Sequence, residues 1–132
     1  MNTRRKRILK VKTKKIANSF KYAFIGIITS FRKERNMKFH FLIMFLVIIL
    51  GFLLKISMIE WFICIMWFAV VIGGELFNTA IESTVNIAMP YRNPQAKAAK
   101  DISAGAVLML AIGSAITGLI IFIPKIVAFI KK

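Results

Sequence analysis

Acidic residues are scarce in this sequence. Only 5 of the 132 residues are Asp or Glu, against 20 Lys and Arg, and the formal net charge is +15. The sequence has one cysteine, Cys64, which excludes an intrachain disulfide and predicts a buried free thiol. It also lacks the P-loop pattern G-x-x-x-x-G-K-[ST] and the glycine-rich loop of protein kinases. Any nucleotide chemistry must therefore use another arrangement of residues.

Hydrophobic residues, in contrast, make up 58% of the chain. This fraction is too high for an ordinary soluble domain of one-domain length. Together with the positive charge, it indicates a membrane protein whose basic face meets anionic lipid headgroups. Nucleic-acid binding is the usual alternative for a basic chain, but such a module does not need long apolar runs, so we expect no nucleic-acid partner.

The apolar pattern divides the chain into segments. Residues 1–15 are basic and predict a cytoplasmic arm, followed by a single integral-membrane domain over residues 16–132. Within that domain, residues 16–36 predict an amphipathic helix on the membrane surface, with Phe20, Phe24 and Ile27 on one face. Three transmembrane helices are predicted over residues 39–56, 59–87 and 101–123. The expected fold class is an all-α membrane protein.

Two further packing expectations concern the second and third spans. Trp61 fits an interface anchor and Trp67 fits a lipid-facing position, while the Gly73-Gly74 pair fits a close-packing point. The third span is rich in Gly, Ala and Ser, which let helices approach closely in lipid, so we expect it to pack against other helices.

The distribution of Lys and Arg predicts the orientation of the spans. Thirteen of these residues precede the first span, whereas the first connection between spans holds only Lys55. By the positive-inside rule, the N-terminus and the second connection are expected in the cytoplasm, with the C-terminus outside. The tail residues Lys125, Lys131 and Lys132 argue mildly against this orientation.

Four of the five acids fall on the predicted cytoplasmic side. These are Glu34, Glu75, Glu82 and Asp101, whereas Glu60 lies at the outer end of the second span. A charged side chain at the bilayer centre costs roughly 2.5–3.5 kcal/mol on insertion scales, so acids in membrane helices are usually functional. The alternative is that they pair with Lys or Arg and fix helix packing.

The second span carries a polar stripe. Its members recur at helical spacing i, i+3, i+4, i+7 and i+11, and they are Glu75, Asn78, Thr79, Glu82 and Asn86. The amide and hydroxyl in this stripe also fit a plain role as hydrogen-bonding groups between helices, and the sequence leaves both interpretations open.

Phosphoryl transfer at the membrane surface suits this layout. Mg²⁺ prefers oxygen ligands and usually takes one or two carboxylates plus phosphate oxygens, which Glu34 and Glu82 can supply. Glu75 lies two turns deeper than Glu82 and can accept the proton of a lipid hydroxyl, while Lys100 can balance phosphate charge. A small cation-coupled transporter using Glu75, or a membrane adaptor with a basic arm, are the competing functions.

Three motifs resemble one known family. They are "ERNMKFH" (residues 34–40), "ELFNTAIE" (residues 75–82) and "AKAAKDISAGAVL" (residues 96–108). In this order they resemble the prokaryotic integral-membrane diacylglycerol kinase family, and the first is similar to its undecaprenol kinase branch, typical of Gram-positive bacteria. The likeness extends from about residue 19 to residue 124.

The resemblance implies a homotrimer with active sites shared between neighbouring chains, and a reaction that uses ATP and Mg²⁺. The acceptor implied is undecaprenol, with diacylglycerol as the alternative. The implied catalytic residues are Glu75 as base and Asn78 as an orienting group, with Glu34 and Glu82 as metal ligands that also hold the ATP phosphates. The implied nucleotide contacts are Tyr22, Tyr91, Arg92, Asn93, Lys100 and Asp101. One departure is Asn86, where the family commonly has Asp.

Overall fold

The computed structural model describes the backbone of residues 3–131 and the side chains of residues 15–131. It contains four helices: α1 (Thr3–Lys33), α2 (Arg35–Leu53), α3 (Met58–Ala88) and α4 (Pro94–Ile130). No strand occurs in the described part of the chain, which confirms the predicted all-α class. The chain forms two units, one ending at Lys33 and the other beginning at Glu34.

The first unit is the single helix α1. It begins at Thr3 instead of residue 16, so the basic segment predicted as an arm is helical from Thr3 onward. Lys and Arg are good helix formers, which is why the helix extends through this polar segment. The apolar side chains of Phe20 and Phe24 are largely exposed, as expected for a helix that lies on a membrane. It also ends before the predicted residue 36, because Glu34 adopts an extended backbone.

The second unit contains α2, α3 and α4, and all three are long and apolar enough to cross a membrane. This confirms the three predicted spans. The limits of α4 differ most from the prediction of 101–123. At 37 residues it is about 55 Å long, which exceeds the ~30 Å of a hydrocarbon core. Its polar first turns extend beyond the apolar part because Asn93 caps the helix and Pro94 occupies its first turn.

Helices α3 and α4 pack antiparallel along most of their length. The contacts pair Asn86 with Lys100 and Asn78 with Ser103 at one end, and Glu60 with Lys125 at the other. Helix α2 also packs against α3, and the Trp61 ring of α3 lies against Gly51 of α2. The N-terminal end of α2, the C-terminal end of α3 and the N-terminal end of α4 therefore lie together, and we call this the acidic end.

Glycines provide the space for the large side chains between helices. A Cβ on Gly113 would lie 2.6 Å from a ring carbon of Trp67, and one on Gly74 would lie 2.6 Å from a methyl group of Leu110. The predicted close-packing role of the Gly73-Gly74 pair is thus confirmed for Gly74. Trp67, which was predicted to face lipid, is half-buried, and its ring packs in part against Gly113 of α4.

Replacing Gly113 with Ala is expected to destabilise the protein. The added methyl group meets the rigid Trp67 ring, and overpacking of this kind costs about 1–3 kcal/mol, more than the gain in helix propensity. Thermal unfolding in detergent micelles measures the change. The matched control is Gly118→Ala in the same helix, since nothing in the chain lies within 4 Å of a Cβ there. Equal unfolding temperatures of the two variants would contradict the packing argument.

The end opposite the acidic end is fixed by polar contacts around Glu60. Ser57 and Glu60 form a reciprocal capping box at the start of α3, with Ser57 N donating to Glu60 Oε2 at 2.6 Å. Lys125 of α4 pairs with the same carboxylate at 3.1 Å. The charge of Lys125 is therefore locally compensated, which weakens its conflict with the predicted orientation.

Candidate functional site

Glu75 is the most deeply buried charged residue of the polar stripe. Its side chain is 1% exposed, and its Oε2 atom has no hydrogen-bond partner among the described residues. Glu34, just before α2, and Glu82, two turns further along α3, lie close enough for their charges to repel a charge on Glu75. The structure thus brings three predicted carboxylates into one region. A buried carboxylate oxygen without a hydrogen-bond partner destabilises the fold, and such atoms in proteins often have a catalytic role. Oε2 of Glu75 is therefore a candidate reactive group.

Asn78 follows Glu75 by one turn and is joined to α4. Its Oδ1 accepts a hydrogen bond from Ser103 Oγ at 2.6 Å, and both side chains are buried. The interpretation of Asn78 as a hydrogen-bonding group between helices is therefore confirmed. Thr79 Oγ1 donates to the Glu75 carbonyl oxygen at 2.9 Å, within its own helix.

Sequence reasoning missed Ser103. A signal was present, because it lies one turn after Lys100 inside the motif of residues 96–108, on the side of α4 that faces the stripe.

A pocket of about 710 Å³ opens at the acidic end, around the connection between α3 and α4. Three cationic side chains line it, from Arg92, Lys97 and Lys100, against the single acid Asp101. This charge balance suits a polyphosphate. The pocket gathers five of the predicted nucleotide contacts, which are Tyr91, Arg92, Asn93, Lys100 and Asp101.

Local hydrogen bonds shape this pocket. Asn93 Oδ1 accepts from Gln95 N at 2.8 Å and from Ala96 N at 3.2 Å, so this predicted nucleotide contact caps α4 in the structure. Lys100 Nζ donates to Asn86 Oδ1 at 3.2 Å. Because Asn86 is an amide and not a carboxylate, the charge of Lys100 is held in place by this bond without being neutralised.

Other predicted site residues lie outside the pocket lining. Glu34, Glu75, Asn78 and Glu82 do not line it, whereas Asn86, at the end of the polar stripe, does. Tyr22 belongs to α1 in the first unit, where its side chain is exposed.

The carboxylates fit a magnesium ion by donor type. Among the described residues, no group of three or more His, Cys, Asp or Glu side chains is close enough to hold a metal by itself. Mg²⁺ does not require such a group, since it usually takes one or two carboxylates and completes its shell with water and phosphate oxygens. Glu34 and Glu82, whose charges act on Glu75, offer carboxylate oxygens of the donor type that this ion prefers.

An apolar groove of about 610 Å³ runs between the helices of the second unit. It is lined from α2, α3 and α4, and extends from His40 near the acidic end to Ile126 near the other end. Its lining is mostly aliphatic and aromatic, with Cys64 as the buried thiol that the sequence predicted. A groove of this length and chemistry suits a hydrocarbon chain.

Comparison with known proteins shows the family of this chain. A sequence model of the family described as prokaryotic diacylglycerol kinase matches residues 21–122. The undecaprenol kinase of Bacillus subtilis is 46% identical over 108 residues, which cover 82% of this chain and 88% of that protein.

Two diacylglycerol kinases are also similar. That of Synechocystis is 34% identical over 83% of this chain and 63% of its own length. That of Pseudomonas aeruginosa is 33% identical over 70% of this chain and 76% of its own length. These relatives are lipid kinases, which favours phosphoryl transfer over cation-coupled transport. The predicted resemblance is confirmed, and the chain belongs to the prokaryotic diacylglycerol kinase family of membrane lipid kinases.

Proposed function

We propose that this protein transfers the γ-phosphoryl group of ATP to undecaprenol, in the presence of Mg²⁺, and forms undecaprenyl phosphate at the cytoplasmic membrane face. The observation that carries the choice of acceptor is the 46% identity with an undecaprenol kinase over 88% of that protein. Diacylglycerol is the second candidate acceptor, because diacylglycerol kinases are 33–34% identical to this chain.

Glu75 is the proposed general base. The lipid hydroxyl oxygen attacks the γ-phosphorus in line, the bond from that phosphorus to the β,γ-bridging oxygen breaks, and ADP leaves. The hydroxyl proton passes to the carboxylate of Glu75, whose Oε2 is buried and has no hydrogen-bond partner among the described residues. Burial keeps water from competing with the lipid hydroxyl as the nucleophile.

Glu34 and Glu82 are the proposed ligands of Mg²⁺. When bound, this ion would offset the negative charge of the ATP phosphates and hold them near the carboxylates. Both residues lie within electrostatic range of Glu75. Their negative charges act on Glu75, and a cation held by Glu34 and Glu82 would offset that repulsion.

The pocket at the acidic end is the proposed nucleotide site. Arg92 and Lys100 lie in its lining and can pair with phosphate oxygens. Tyr91, Asn93 and Asp101 share that lining and can contact the rest of the nucleotide. Tyr22 on α1 stays a predicted nucleotide contact.

Replacing Lys100 with Gln is expected to raise the KM for ATP about tenfold, because a hydrogen bond to a charged group contributes about 1.5–3 kcal/mol. Steady-state kinetics with ATP as the varied substrate measure this. The control is Lys55→Gln in the connection between α2 and α3, far along the chain from the pocket, which changes the net charge equally. An unchanged KM for ATP in the Lys100 variant would remove Lys100 from the nucleotide site.

The apolar groove is the proposed site of the lipid chain. Its lining passes His40 near the acidic end, so a chain lying in it can present a terminal hydroxyl toward the carboxylates. An apolar groove discriminates weakly between hydrocarbon chains, since each methylene contributes only about 1–3 kcal/mol, and both acceptors can enter it.

A homotrimer in the membrane of a Gram-positive bacterium is the proposed assembly, with the N-terminus in the cytoplasm and the C-terminus outside. The small residues of α4 support an assembly of chains, because a Cβ on Gly105 would meet nothing in this chain within 4 Å. The basic residues of α1 support binding to anionic lipid headgroups on the cytoplasmic leaflet.

Competition between two acceptors tests the proposed substrate. Purified protein in mixed micelles receives undecaprenol and diacylglycerol at equal mole fractions, with ATP and Mg²⁺, and the two phosphorylated lipids are separated and quantified. We expect undecaprenyl phosphate to form faster. Faster formation of phosphatidic acid would assign the protein to diacylglycerol instead.

A further inference from the structure

The buried hydrogen bond between Ser103 and Asn78 has a use beyond helix packing. Ser103 Oγ lies 2.6 Å from Asn78 Oδ1, and the side chains are 8% and 6% exposed. We propose that Ser103 is a positioning residue that fixes which end of the Asn78 carboxamide faces the reacting groups around Glu75. The proposal rests on the proposed lipid kinase function.

The carboxamide of Asn78 has two chemically different ends. One is a carbonyl oxygen that accepts hydrogen bonds, and the other is an amide nitrogen that donates two. A half-turn of the side chain exchanges them with almost no change in shape. Asn78 lies one turn after Glu75 on the same face of α3, so this exchange would place either a donor or an acceptor beside a carboxylate. Only the donor stabilises negative charge on Glu75 or on a phosphoryl oxygen.

The hydroxyl of Ser103 decides between the two orientations. Its contact with Oδ1, at 2.6 Å, is shorter than its contact with the Lys100 carbonyl oxygen, at 2.9 Å, which favours donation to Oδ1. The carbonyl end of Asn78 is then engaged on the α4 side, and the two amide N–H groups remain for other partners. Burial strengthens this preference, since water has little access to replace the serine and an unpaired carbonyl here would cost about 1–3 kcal/mol.

The same hydroxyl also lies 2.9 Å from the Lys100 carbonyl oxygen, and its single proton can satisfy only one of the two acceptors. If the proton went to Lys100, Asn78 would have to donate its amide to Ser103 and turn its carbonyl toward Glu75. The position of this proton thus couples the orientation of Asn78 to the first turns of α4. Those turns line the pocket at the acidic end through Lys97, Lys100 and Asp101.

Three variants test this role by lipid phosphorylation in mixed micelles, with kcat and the KM for ATP determined separately. Ser103→Ala removes the hydroxyl and is expected to lower kcat about tenfold, the effect of one lost hydrogen bond, with the KM for ATP unchanged. Ser103→Thr keeps the hydroxyl and is expected to restore most of the kcat. Thr84→Val is the control, because the hydroxyl of Thr84 donates only within its own helix, to Ala80 O at 2.9 Å.

Each outcome separates this inference from the proposed function. Size-exclusion chromatography first confirms that every variant is assembled, and rates are given per folded protein. Wild-type kcat in Ser103→Ala, or equal losses in Ser103→Ala and Ser103→Thr, would overturn the positioning role while the kinase function stands. A raised KM for ATP with unchanged kcat would also overturn it. An inactive wild-type protein would instead contradict the proposed function itself.

Discussion

Replacement of Glu75 by Gln is expected to abolish measurable lipid phosphorylation. A positioned general base contributes about 10²–10⁴-fold to a rate, and Gln keeps the shape of Glu but cannot accept the proton. Glu75 is 1% exposed, and its Oε2 has no hydrogen-bond partner among the described residues. No neighbouring side chain bonded to that oxygen is therefore available to accept the proton in its place. Phosphate transfer from γ-labelled ATP to undecaprenol in mixed micelles measures the loss.

The stability of the Glu75→Gln protein separates chemistry from folding. Removing a buried, unpaired charge does not destabilise a fold and often stabilises it, so we expect an unchanged or higher unfolding temperature. The matched control is Glu60→Gln at the opposite end of α3, where the carboxylate caps the helix and pairs with Lys125. That variant should lose some stability and keep its activity. Near-normal turnover in Glu75→Gln would remove Glu75 as the base.

Replacement of Glu82 by Gln is expected to raise the Mg²⁺ concentration needed for half-maximal activity by at least about tenfold, because the change removes a carboxylate ligand from a weakly held ion. The same titration with Glu34→Gln should shift in the same direction. Activity at saturating Mg²⁺ should recover in part for both variants, which distinguishes a metal ligand from a catalytic base.

Glu60→Gln is again the control for the Mg²⁺ titration, since it removes one negative charge from the same helix at the other end. A Mg²⁺ titration of Glu82→Gln that coincides with that of the wild type would exclude Glu82 as a metal ligand. A shift of equal size in Glu60→Gln would attribute the effect to net charge alone.

The predicted spans and polar stripe follow from patterns that the sequence displays directly. An apolar run of about 20 residues is typical of a membrane-spanning helix. The spacing of Glu75, Asn78 and Glu82 places all three on one face of a helix. The alternating direction of three spans then brings Lys100 and Asp101 to the same end as the stripe. The structure agrees on each of these points.

Other features depend on contacts between helices that no single segment displays. The hydropathy of Trp67 is the same whether it faces lipid or Gly113, and only the register of α3 against α4 decides between them. Ser103 looks like one more small residue of the third span until its partner Asn78 is known. The early start of α4 at Pro94 was also missed, because the prediction followed the apolar stretch instead of the Asn93 cap.

The decisive test of the proposed kinase function is the transfer of label from γ-labelled ATP to undecaprenol by the purified, assembled protein, with and without Mg²⁺. The proposed kinase function predicts labelled undecaprenyl phosphate that appears only with Mg²⁺ and is lost in Glu75→Gln. Absence of labelled lipid from a folded wild-type protein, or equal labelling by Glu75→Gln, would contradict it.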